Sequence, residues 1–167
     1  VQGYMDTLHD YHQIAWGLFY YLIDILIGLI LAGFLIFLFR AGAQMLYMAW
    51  LEHGSEKTEV YKGCRVFISG QIALPLSTGL RTRKIYLPLG IDPEDKRIIL
   101  EHEYNHFFKF HHYWSLLESL ITHLFWFNPM SHLLHKRGVL VREMECDSET
   151  IRTIDKYTYS KTLLRSA

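Results

Sequence analysis

The stretch IDPEDKRIILEHEYNHFF, residues 91–108, governs how the rest of the chain is read. Asp92 ahead of Pro93 is a helix-start signal: an N-cap carboxylate, a proline in the first turn, then the acids Glu94 and Asp95. The helix it opens should run through Ile98, Ile99 and Leu100 into EHEYNH, residues 101–106. That segment holds the pattern H-E-x-x-H at His102, Glu103 and His106. On a helix the two histidines lie one turn apart on one face, so both imidazoles can reach a single ion. Glu103, beside the first histidine, is placed to act as general base towards a water held by that ion. Zinc suits such a pair, because it lowers the pKa of its water towards about 7 and polarises a scissile carbonyl.

A hydrolytic zinc site needs a third protein ligand and an open position. The best candidate lies downstream, in VREMECDSET, residues 141–150. Glu143 and Asp147 are again four apart and project from one side of a helix. A solvated acidic face formed by Glu143, Glu145, Asp147 and Glu149 is the plain alternative, and the motif upstream weighs against it.

Upstream of both motifs, residues 14–39 read IAWGLFYYLIDILIGLILAGFLIFLF, with no basic residue and one acid, Asp24. This exceeds the roughly 20 residues that cross a bilayer as a helix. It is too long for a signal-peptide core, and no basic region precedes it. Acids alone, Asp6 and Asp10, precede the span, whereas Arg40, Lys57, Lys62 and Arg65 follow it. Residues 1–13 are therefore expected outside the cytoplasm and everything after Arg40 inside. Asp24 is costly against lipid; it either meets another transmembrane helix or sits where tilt and local hydration accommodate it.

Residues 40–59 read as a juxtamembrane linker, a helical extension followed by a polar turn. VYKGCRVFIS (60–69) and KIYLPLG (84–90) have the β-branched and aromatic content of strands, punctuated by glycine and proline. A second apolar helix is expected near Trp114 to Trp126, ended by Asn128-Pro129, and a third from Ser131 to about Asp155. The expected domain, residues 60–167, is α+β: helix-rich with a small sheet, and tethered to the transmembrane helix.

Bulk composition narrows the function further. Seventeen basic and 17 acidic residues balance, so nothing favours nucleic acid. Cys64 and Cys146 are the two cysteines; with no C-x-x-C pair they support neither a disulfide scaffold nor a cysteine-ligated zinc, and fit a reducing compartment. Cys146 reads as a small buried residue rather than a nucleophile. Of the ten histidines, His111, His112, His123, His132 and His135 read as helix-surface or interface residues, and His9, His12 and His53 lie in polar stretches. The chain begins with Val1, which reads as a fragment or a processed form.

The E-x-x-x-D pair following H-E-x-x-H on a separate helix resembles the gluzincin peptidases. The ordered series ALPLSTGLRTRKIYLP, ILEHEYNH, WFNP, EMECD and YSKTLL resembles the BlaR/MecR family over residues 74–164. These are integral-membrane zinc metallopeptidases that act as antirepressors in bacterial β-lactam sensing. The resemblance implies Glu143, rather than Glu145 or Glu149, as third metal ligand, and Asp147 as the carboxylate behind the first histidine. It implies a bacterial inner (cytoplasmic) membrane location with the peptidase domain facing the cytoplasm. It also implies a protein substrate, a transcriptional repressor or the protein itself, and further transmembrane helices or a homo-oligomer. One departure stands out: His111 occupies the place of the family's usual acid, although Lys109 is kept. No β-lactam sensor is read in these residues, so that specificity is not carried over. Two other readings accompany this one. The first is a membrane-protein processing or quality-control peptidase of the HtpX or CAAX type; the second is a catalytically silent zinc-binding signalling scaffold, which would have no need of Glu103.

Overall fold

A computed structural model of the chain describes residues 2–154 and 159–160. Helix α1, Gln2–His53, is 52 residues long, about 78 Å at about 1.5 Å per residue. It does not stop at Phe39: the first part of the expected linker continues it. Its apolar side chains from Tyr11 to Trp50 are largely exposed, as in a helix whose solvent is hydrocarbon rather than water. Asp24 is exposed among them.

Strand β1 (Glu56–Tyr61) begins inside the expected linker and turns into β2 (Cys64–Ser69). The turn is Lys62-Gly63, with φ of 46° and 80°. Two successive positive φ values match the twist of an antiparallel hairpin, and Gly63 adopts its value without steric cost. Two further strands follow, β3 (Leu76–Thr78) and β4 (Lys84–Pro88). The sheet order is β1-β2-β4-β3, with β2 and β4 parallel and the outer pairs antiparallel.

Alternation along the central strands sends side chains to two cores. Cys64, Val66, Ile85 and Leu87 pack with Leu100 and Phe107 of α2 (Pro93–Phe108). Phe67 and Tyr86 pack on the opposite face with Leu51 and Met48, near the end of α1. Their rings stack with centroids 5.1 Å apart, and Lys84 of β4 pairs with Glu52 of α1 at 2.6 Å. The sheet is thus held between the end of the long helix and the helix that carries the H-E-x-x-H motif.

Asp92 caps α2 as the sequence indicates, its carboxylate accepting from the Glu94 N–H at 3.1 Å. Helix α3, His111–Leu124, starts three residues earlier than expected. Phe110 adopts a left-handed φ of 57°, a conformation no composition signal announces, and with Lys109 it forms the two-residue break between α2 and α3. Helix α4 is Pro129–Thr153, with Asn128 accepting from the Met130 N–H at 3.0 Å. Asp155, the expected end of this helix, lies outside the described residues, as do Leu163 and Leu164 of the last motif.

Helix α3 packs on the apolar part of α1. A Cβ on Gly33 would lie 1.9 Å from the His123 carbonyl oxygen, so only glycine permits this approach. Beside it, Trp126 Nε1 donates to the Leu29 carbonyl at 3.1 Å, and Phe37 meets the His123 ring. Arg142 of α4 donates to Glu118 of α3 at 2.6 Å.

Candidate metal centre

Two helices, α2 and α4, bring the predicted residues together. Asn105, buried on α2, donates from Nδ2 to Thr150 Oγ1 of α4 at 3.1 Å, and Thr150 is wholly enclosed. This fixes α4 across α2 so that its Glu143–Asp147 turn lies over the histidines. Asn105, which the H-E-x-x-H pattern leaves unspecified, joins the two helices.

Within that frame, Nε2 of His102 lies 3.5 Å from Glu143 Oε2, and Nε2 of His106 lies 3.8 Å from Oε1 of the same carboxylate. Ligands of a tetrahedral zinc with bonds of about 2.0–2.1 Å sit roughly 3.3 Å from one another. Each ring nitrogen therefore faces one of the two oxygens of the Glu143 carboxylate at close to the separation of two ligands on one zinc ion. The donor types suit zinc as well.

Each imidazole presents its Nε2 inward and its Nδ1 outward. Nδ1 of His102 lies 3.2 Å from Asp147 Oδ1 and 3.1 Å from the Tyr159 hydroxyl, which itself donates to Asp147. Nδ1 of His106 lies 3.2 Å from Nδ1 of His111, whose Nε2 is 3.1 Å from Glu145. Tyr159 and His111 are the two site residues that sequence reasoning did not assign. The final motif contains Tyr159 but says nothing of what it touches. His111 is 4% exposed, not a surface residue, and its partner Glu145 is far away along the chain.

Glu103 is buried, 8% exposed. Burial raises its carboxyl above the usual range, against the opposing effects of a Ser77 hydrogen bond and the His102 charge. Burial alone would lower His102, but its Glu143 hydrogen bond and the charges of Glu103 and Asp147 outweigh that and raise it. His106 is held low by burial and by the neighbouring imidazoles, and stays a neutral lone-pair donor.

A second donor set overlaps the first: His102, His106 and Cys146 also present ligand atoms within 4.8 Å of one another. Geometry favours Glu143. The Cys146 sulfur lies 3.5 Å from His111 Nδ1, the nitrogen that faces His106 Nδ1, and so sits behind His106 rather than at its inward Nε2. Burial, then the charges of Glu143, Glu103, Asp147 and Glu145, push its thiol up to about 12. A surface depression of about 410 Å³, lined by residues such as Pro75, Asp92 and Ile99, lies apart from these side chains.

Two histidines one turn apart, a carboxylate facing both and a buried glutamate beside them define a metallopeptidase-like centre. The chain belongs to the family described as BlaR1 peptidase M56, whose model matches residues 9–167. Membership, with the long apolar helix, points to a membrane-associated metallopeptidase. No curated protein matches the chain.

Proposed function

We propose that this chain is a membrane-anchored zinc-dependent endopeptidase, gluzincin-like in its ligand set, that cleaves a cytoplasmic regulator or itself in response to a membrane signal. The convergence of the His102 and His106 Nε2 atoms on Glu143, with Glu103 buried alongside, carries this reading. His102, His106 and Glu143 would hold the metal. Zinc bound there supplies a Lewis acid that lowers the pKa of a water and polarises a carbonyl. Glu103 takes the proton of the attacking water and passes it to the leaving amine nitrogen. Burial raises its pKa, in the direction that suits a carboxylate which must accept a proton and then return it. Asp147, with Tyr159 behind it, holds the His102 ring so that Nε2 keeps its lone pair for the metal.

The sheet and the metal site, both beyond Arg40, would face the cytoplasm of a bacterial inner membrane. A second reading, a processing peptidase for membrane proteins, is favoured by one observation. The end of α3 at His123 and Trp126 just beyond it meet α1 at Gly33 and Leu29, inside the apolar run, which puts that edge of the domain at the depth of the bilayer itself.

The test uses the full chain in detergent, with metal content by mass spectrometry and cleavage of candidate repressors and a generic protein. Wild type and Glu103→Gln should both carry zinc, and only wild type should cleave. A chelator should stop cleavage and added zinc restore it. If both proteins bind zinc and behave alike on every substrate, the silent scaffold replaces the peptidase.

A further inference from the structure

We infer that His111 and Glu145 form a relay that fixes the ring nitrogen through which His106 meets its metal, an inference that rests on His106 being a ligand. Among the described residues, the outward nitrogen of His106 has no carboxylate or carbonyl as hydrogen-bond partner. It faces another imidazole nitrogen, Nδ1 of His111, at 3.2 Å. Two ring nitrogens at that distance attract only if one carries a hydrogen and the other a bare lone pair.

The next contact decides which is which. Nε2 of His111 lies 3.1 Å from Glu145 Oε2, and an ionised carboxylate can only accept. His111 Nε2 therefore carries the hydrogen, which leaves His111 Nδ1 bare in the neutral ring. His106 Nδ1–H then donates to it, and the His106 lone pair is left on Nε2, directed at Glu143. Glu145 on α4 thus sets the tautomer of His106 on α2 through one bridging ring.

The placement is built rather than incidental. His111 is 4% exposed, and the left-handed turn at Phe110 brings it back beneath His106. On the other side of the site, Asp147 holds His102 directly. The two ligand histidines are therefore oriented by different means, one by a carboxylate and one by a carboxylate acting through an imidazole. His111 and Glu145 are positioning residues: neither faces the metal position.

Zinc affinity of the full chain in detergent, measured by competition with a chromophoric chelator, tests this. The melting temperature of each metal-free protein is recorded alongside. His111→Leu removes the acceptor and should weaken zinc binding about 10–100-fold, the usual cost of losing an outer partner. His111→Asn places a carbonyl oxygen where Nδ1 stood and should restore affinity to within a few-fold of wild type. Glu145→Leu, at a half-exposed position, should fall between them. The relay is overturned if His111→Leu binds zinc as wild type does, or if His111→Asn is no better than His111→Leu at equal metal-free melting temperature. Should His111→Leu fail to fold, Glu145→Leu with wild-type affinity overturns it alone. Wild type that binds no zinc overturns the ligand assignment and the relay together, whereas zinc-binding wild type with unaffected variants overturns the relay only.

Discussion

Lys62 shows how much a single side chain at the edge of this site carries. Its ammonium donates to both oxygens of Glu101 at 2.7 Å, and Tyr61 donates to the same carboxylate at 2.5 Å. Glu101 is 7% exposed and immediately precedes His102. Lys62→Met leaves a buried carboxylate with one partner, and should cost about 1–3 kcal/mol, towards the lower end because Lys62 itself is half-exposed. Chemical denaturation in detergent would measure it, and an unchanged midpoint would remove the pair from the account. Asp147→Ala should weaken zinc binding about 10–100-fold by freeing the His102 ring, a loss that chelator competition reads directly. At this scale the sequence was legible where a pair lies four apart on one helix: His102 with His106, Glu143 with Asp147. It was not legible where partners meet across elements. Nothing local to His111 points to Glu145, and nothing local to Tyr159 points to Asp147, because such contacts are set by how α2, α3 and α4 pack.

Elements were readable in proportion to the chemistry at their ends. The Asp92-Pro93 and Asn128-Pro129 starts are caps with a stated mechanism, and both occur. The Lys62-Gly63 turn falls inside VYKGCRVFIS, which composition marks as one strand-like stretch, and most of β1 occupies residues that read as linker. Strand β3, three residues long, has too few positions to show alternation and owes its existence to pairing with β4. The early start of α3 follows from the backbone of Phe110, which composition does not encode. The α1–α3 contact hangs on one glycine. Gly33→Ala forces a Cβ against the His123 backbone, and overpacking of this kind typically costs about 1–3 kcal/mol. Thermal melts of the detergent-solubilised protein should show the loss. Gly28→Ala, on the same helix with open space around it, should leave the melt unchanged; equal effects of both would mean that α3 does not pack there.

The whole molecule is a long apolar helix with a small sheet clasped against its end and a three-helix unit carrying the site. The charge asymmetry about residues 14–39 predicts which end is which. A thiol-reactive, membrane-impermeant label should reach Gln13→Cys in intact cells and Ser55→Cys only after lysis, the native cysteines being buried; the reverse pattern would invert the orientation. Everything proposed for function depends on what occupies the space between α2 and α4. X-ray absorption at the zinc edge of this chain tests that most directly. The account predicts one zinc per chain with two imidazoles and carboxylate or water oxygen at about 2.0–2.2 Å, and no sulfur. A scatterer at about 2.3 Å, marking Cys146 as a ligand in place of Glu143, or the absence of bound zinc, would contradict it.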